Sequence, residues 1–320
     1  MELGILRFEE GYFPRIWGGR KLEVLFGKPL PPEQAVGEAW LVADHAVHES
    51  VVAEGPHRGR TLHDLVNKHP QALLGRLAPV TPFGRFPLLL KLLDARDVLS
   101  VQVHPDDACA KRLGESDVGK TEMWCVLDAE SGSELICGLD PGLAPDAFAA
   151  AVRDGSIARH MCRYPVHAGS ALFVPAGVVH ALGAGVVLAE IQQNSDLTYR
   201  LYDWERTDAD GAPRPLHVEK AMAAMHFGQE HSGPVRPLVY EVDGVRHTML
   251  AACRYFAAEH RSISKACAYG RVKRCSSPPN APQSASREQV CFWITTCLKS
   301  NAISGSPSLA RAFPTKKYRG

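Results

Sequence analysis

The chain has 320 residues, 45% of them hydrophobic and 22% charged, with a formal net charge of +1 at pH 7. That composition belongs to a globular chain able to bury a core, and the near-zero charge excludes an overall electrostatic draw to nucleic acid or an anionic membrane. No apolar run approaches a membrane span, and the first residues lack the basic-then-apolar order of a secretion signal, so a cytoplasmic enzyme or binding protein is expected.

Along the chain, residues 61–69, TLHDLVNKH, start on a Thr cap and set Leu62, Leu65 and Val66 at helical spacing before Pro70. Residues 145–155, PDAFAAAVRDG, predict a second helix with Pro at its first turn and Gly just past its end. Residues 215–227, PLHVEKAMAAMHF, predict a third. Between them lie short β-rich segments at 88–94, 98–104, 121–128, 133–138, 170–174, 186–192 and 197–203, broken by Gly, Pro and Asp. This is the pattern of an antiparallel sandwich or barrel with small helical insertions. Nine Cys occur without a Cys-x-x-Cys pair; they read as reduced side chains, and a thiolate zinc centre is not expected. From Ser262 onward ten Lys or Arg stand against one acid, Glu288, whereas the first 261 residues hold 26 bases and 34 acids. The segment 262–320 reads as a disordered basic, Ser/Cys-rich tail or as the product of a shifted reading frame.

The chemistry concentrates in three segments. In DVLSVQVHPDD, 97–107, one strand face carries Val101 and Val103 and the other Ser100, Gln102 and His104. In GKTEMWCVLD, 119–128, Lys120, Glu122 and Trp124 share a face. In GSALFVPAGVVHALGAG, 169–185, Gly169 permits a tight turn, ALFV forms a strand, and Pro175 and Gly177 turn the chain so that His180 begins a return strand. If strands 100–104 and 121–126 pair as neighbours, Gln102, His104, Glu122 and His180 converge inside a barrel. Two imidazoles, a carboxylate and an amide oxygen suit a borderline divalent ion, zinc first, with positions left open for substrate. Taken singly, each of these residues is an ordinary polar side chain; the joint pattern carries the expectation. Lys91 interrupts the apolar run FPLLLKLLD, so it either snorkels to an edge or meets a buried partner. In NSDLTYRLYDW, 194–204, Asn194, Asp196, Thr198, Arg200 and Tyr202 share a side, as a solvated face or as a pocket wall with Arg200 aimed at an anion.

The blocks FPLLLKLLDARDVLSVQVHPDD, GKTEMWCVLDA, FVPAGVVHALGAG and AEIQQNSDLTYRLYDW, with IWGGRKLEVLFG and VGEAWLVADH upstream, resemble the type I mannose-6-phosphate isomerases in their short bacterial form. The resemblance runs over about residues 5 to 260. It implies a mainly β cupin fold: a jelly-roll catalytic barrel with a small helical insertion over 1–230, the start of a second, incomplete barrel over 231–261, and the atypical tail after it. It also implies one Zn²⁺ per chain on Gln102, His104, Glu122 and His180. A catalytic arginine matches Arg200, and Lys91, Lys120 and Asp196 match positions at or near the sugar-phosphate site; beside Arg200, Lys120 is expected as the second catalytic residue, a base if burial and the adjacent ion lower its pKa, and Ser100 as a further substrate contact. The implied substrate is a small sugar phosphate, with no nucleic acid or membrane partner; nothing distinguishes a monomer from a homodimer. The chain departs from longer relatives at Gly119, where they carry a His before the lysine, so no acid–base role of that His transfers. A sugar-phosphate-binding cupin without turnover and an iron-dependent cupin oxygenase remain alternatives.

Overall fold

The period-two runs form strands, and the chain builds three sheets from them. The computed structural model of the protein describes residues 3–75, 78, 82–207, 211–228, 233–263 and 291–296. Its first half contains β1 (Gly11–Gly19), α1 (Lys21–Phe26), β2 (Val36–Val42), α2 (Leu62–Lys68), α3 (Pro70–Leu74), β3 (Leu88–Ala95), β4 (Val101–Val103), α4 (Asp107–Arg112), β5 (Glu122–Ala129), β6 (Glu134–Leu139) and α5 (Pro145–Arg153). There follow β7 (Met161–Pro165), β8 (Ala171–Val174), β9 (His180–Leu182), β10 (Val186–Gln193), β11 (Tyr199–Tyr202), α6 (Val218–Ala224), β12 (Leu238–Val242), β13 (Val245–Ala252), β14 (Phe256–Ile263) and β15 (Cys291–Thr296).

A six-stranded sheet runs β1-β2-β3-β10-β5-β8, a five-stranded sheet β11-β4-β9-β6-β7, and a four-stranded sheet β12-β13-β14-β15, with every pairing antiparallel. The fold is mainly β, as expected. The first two sheets face each other across a core of Leu93, Trp124, Leu172 and Leu188 from one and Leu135, Cys137 and Leu182 from the other. Among the described residues no ladder joins them into a closed barrel. Strands 100–104 and 121–126 are therefore not neighbours: β4 and β5 lie in opposite sheets, and their polar faces meet across the sandwich. The turn at Pro175–Gly177 likewise carries the chain from one sheet to the other, with Gly177 at φ +86°.

The alternation in β4 has a direct cause. Val101 and Val103 face outward into a second core closed by Phe148 and Ala151 of α5 and Ala221 and Ala224 of α6. The opposite face is thereby left to polar residues. Thr61 caps α2, its hydroxyl accepting the Asp64 N–H at 3.1 Å. Pro70 does not end the helical region but opens α3, where its missing N–H costs nothing. The third helix starts only at Val218, later than the expected residue 215; its N-cap, His217, donates its N–H to the Arg200 carbonyl at 2.8 Å, which ties the helix start to β11. The C-terminal sheet packs Leu250, Phe256 and Ala258 on Met123, Cys125 and Ile191, the outer face of the six-stranded sheet. Over 231–261, where the start of a second barrel is expected, β12, β13 and β14 form three strands of this sheet; the rest of such a barrel lies outside the described residues. Of the tail 262–320, residues 262–263 end β14 and 291–296 form β15; the expectation of a disordered or frame-shifted segment otherwise lies outside the described residues. No helix among the described residues is long and apolar enough to cross a membrane.

Candidate active site

Four side chains from the two facing sheets meet in the interior. Gln102 of β4 is in register with His180 of β9, and Glu122 opens β5 in the opposite sheet; His104 follows β4 directly. His104 Nε2 lies 3.1 Å from His180 Nε2, and Glu122 reaches both, at 3.5 and 3.4 Å. The Gln102 amide group is 3.4 Å from His180 Nε2. His104, Glu122 and His180 are essentially inaccessible to water, at 1%, 0% and 0% exposed.

Hydrogen bonding fixes the state of both rings. His104 Nδ1 donates to the Leu197 carbonyl at 2.7 Å, and His180 Nδ1 donates to the Val178 carbonyl at 2.8 Å. A carbonyl can only accept, so each proton sits on Nδ1 and each Nε2 presents a lone pair. Burial holds both imidazoles neutral: His180 is brought down to about 4, and His104, with Lys120 and His180 adding to burial, well below its ordinary value. Two lone pairs facing each other at 3.1 Å repel unless a cation lies between them. Both Glu122 oxygens are buried without a hydrogen bond, the unspent valence that a metal would take up. Gln102 completes the set once its amide presents oxygen rather than nitrogen. The donors fit a borderline divalent ion. Asp44, Glu49 and His63 also gather, but Asp44 is already satisfied by His63, Arg85 and the Phe86 N–H, so that group reads as an ion-pair cluster.

A second layer of charge adjoins the cluster. Lys120 Nζ lies 3.0 Å from Glu122 Oε2, without the alignment of a hydrogen bond. Burial pulls its ammonium down, but Glu122, Glu190 and Asp196 outweigh it and hold Lys120 above its ordinary value. Lys91 is buried, not snorkelling: Nζ lies 3.6 Å from Glu38 and from Glu190, 3.9 Å from Asp196, and 4.8 Å from the Trp40 ring centre. Asp196 is the most exposed of these carboxylates. Its backbone N–H donates to Asp117, which also meets His45, and the next residue supplies the Leu197 carbonyl that orients His104.

Arg200 of β11 pairs in register with Gln102, so Arg200, Gln102 and His180 form one row across three strands. Nη1 donates to the Pro215 carbonyl at 3.0 Å, while Nε is buried with no partner. Ser100 is buried two residues before Gln102. Gly119 has a steric reason: a Cβ there would sit 2.5 Å from the backbone of Asp106 and Asp107, so neither His nor any other side chain fits without moving α4.

Glu190, Glu38 and the two tryptophans that hold them were absent from the sequence-based site. Trp124 Nε1 donates to Glu190 at 2.9 Å and Trp40 Nε1 to Glu38 at 2.8 Å. A signal existed: Glu190 and Gln192 share a face of VVLAEIQQ, a strand whose first four residues are apolar, and Glu38 and Trp40 share a face of VGEAWLV.

Residues 5–122 match the family model for the phosphomannose isomerase type I catalytic domain. The probable mannose-6-phosphate isomerase GmuF of Bacillus subtilis is 39% identical over 268 residues, covering 82% of this chain and 81% of that one. The mannose-6-phosphate isomerase of Streptococcus mutans is 36% identical over 265 residues, covering 83% and 79%. The crystal structure of a Bacillus subtilis mannose 6-phosphate isomerase superposes with a TM-score of 0.74 at 33% identity, over 81% of this chain and 80% of that one. The architecture is thus the cupin fold of those isomerases. Similar over most of its length to enzymes of one kind, and carrying a buried donor set suited to a metal, the chain belongs to the type I phosphomannose isomerase family.

Proposed function

We propose that the protein interconverts mannose 6-phosphate and fructose 6-phosphate, using one Zn²⁺ held by Gln102, His104, Glu122 and His180. The observation that carries this reading is the pair of imidazole lone pairs at 3.1 Å beside a buried carboxylate with no hydrogen bond. When bound, the ion supplies electrophilic stabilisation of negative charge developing on the sugar oxygens. The reaction removes the proton from C2 of the aldose and delivers one to C1 of the ketose, through an enediol. In this reading Lys120 is the group that moves it. Glu122 is the strongest attraction holding Lys120 as an ammonium, and engaging Glu122 with a cation removes that attraction. Arg200, with its uncommitted Nε–H, stabilises the enediolate. Lys91 offsets Glu38 and Glu190 so that an anionic sugar phosphate is admitted; Ser100 and Asp196 contribute polar contacts to it.

In this reading residues 1–230 are the catalytic unit and 231–261 begin a second β unit. A cytoplasmic setting is supported by the free thiols of Cys109, Cys125, Cys137 and Cys162. The test is a coupled isomerase assay on purified protein of measured zinc content. Turnover of mannose 6-phosphate that scales with bound zinc supports the assignment. Tight mannose 6-phosphate binding without turnover by the fully loaded protein makes it a binding protein instead.

A further inference from the structure

Asp107, the first residue of α4, is a junction that the proposed chemistry does not use. Its Oδ2 accepts the Tyr255 hydroxyl at 2.7 Å, and Tyr255 belongs to the turn between β13 and β14 of the C-terminal sheet. Its Oδ1 accepts the Gly119 N–H at 3.1 Å and Gln193 Nε2 at 3.0 Å. Gln193 in turn accepts the Thr121 N–H on Oε1 at 2.9 Å and donates its own N–H to the Thr121 carbonyl at 3.1 Å. The two peptide N–H groups on either side of Lys120 are thus held from one carboxylate, one directly and one through an amide. The N–H of Lys120 itself donates to the Pro105 carbonyl at 3.0 Å. Chain approach here is close, as the position of Gly119 against Asp106 and Asp107 shows, so this segment has little slack. The Tyr255 ring packs against the cluster of Leu250, Phe256 and Ala258, and the Arg254 guanidinium lies over it at 4.9 Å, so the hydroxyl is delivered by a packed sheet.

We propose that Tyr255 is a positioning residue of the active site: through Asp107, the C-terminal sheet fixes residues 119–122 and with them Lys120 and Glu122. The kinetic readout of this proposal rests on the isomerase reading; the structural readout does not. Small displacements of a reacting group cost large factors in rate, so a loosened Lys120 is felt in kcat before KM.

Tyr255→Phe removes the hydroxyl and keeps the ring. In the zinc-loaded full chain its kcat is expected to fall about tenfold with KM changed by less than about twofold, and amides over 119–123 are expected to exchange faster with deuterated solvent. Asp107→Asn combined with Tyr255→Phe is expected to cost no more than Asp107→Asn alone, since both act through one carboxylate. Tyr240→Phe removes a different hydroxyl of the same sheet, the one that donates to Glu259 at 3.2 Å, and leaves the Tyr255–Asp107 bond in place; it is expected to leave kcat and exchange over 119–123 unchanged. Wild-type kcat and wild-type exchange in Tyr255→Phe overturn the proposal, as does a Tyr240→Phe protein that reproduces both changes. An inactive wild-type chain overturns the isomerase reading alone, and the exchange comparison still decides the role of Tyr255.

Discussion

Replacing Lys91 with Met tests the electrostatics that hold the sandwich interior together. Lys91 is 4% exposed, with Nζ 3.6 Å from both Glu38 and Glu190. At an effective dielectric near 20, each such contact is worth about 4–5 kcal/mol of Coulomb attraction. Against that stands the cost of burying the ammonium, several kcal/mol. Met keeps the volume and removes the charge, leaving two buried carboxylates short of a partner, and a net loss of about 3–5 kcal/mol is expected. The loss falls toward the lower end, because Arg15 still holds Glu38 at 2.7 Å and Trp124 still donates to Glu190 at 2.9 Å. The pH dependence has a definite sign. Burial alone pushes the Glu38 carboxyl up, but Lys91 and then Arg15 outweigh burial and hold it at about 2. A carboxyl depressed in this way contributes fully above its ordinary value of 4.5, and that contribution is lost as pH falls toward 2. The stability gap between wild type and Lys91→Met is therefore expected to narrow on acidification. Urea unfolding of both proteins from neutral pH to below the carboxyl range measures it. Equal stability at neutral pH, or a gap that widens as pH falls, refutes the reasoning.

His180→Ala and Gln102→Leu are each expected to lose bound zinc and isomerase activity in parallel, read by metal analysis beside the coupled assay; full activity in a zinc-free variant refutes the ligand set. Chelation of the wild-type protein leaves the two imidazole lone pairs facing each other and Glu122 with Lys120 as its charge partner, so its thermal midpoint is expected to fall and to recover when zinc is restored. Arg200→Ala is expected to keep its zinc and lose about 2–4 kcal/mol of transition-state stabilisation, a kcat loss of roughly 30- to 1,000-fold. Near-normal turnover of that zinc-loaded variant rules the arginine out of the chemistry.

Much of the site was legible because it follows strand alternation. Ser100, Gln102 and His104 share a face that an apolar sheet cannot tolerate without partners, and Glu122 and His180 supplied them. The pairing was not legible. Alternation assigns a residue to a face but does not say which sheet its strand joins, so β4 and β5 read as neighbours when they oppose each other across the core. Glu38 and Glu190 were hidden for a related reason: each sits in a short, largely apolar strand whose neighbours are set by long-range register, Lys91 lying opposite both Trp40 and Glu190. The reach of Tyr255 to Asp107 spans 148 residues, and no local pattern encodes it. Gly119 read as a departure from longer relatives; its cause is the close passage of the α4 backbone.

The most direct test of the metal centre is anomalous diffraction at the zinc edge from crystals of the zinc-loaded protein. A single peak about 2.0–2.2 Å from His104 Nε2, His180 Nε2 and a Glu122 oxygen is the expected result. No peak between those side chains, or zinc bound instead at Asp44, Glu49 and His63, contradicts the assignment.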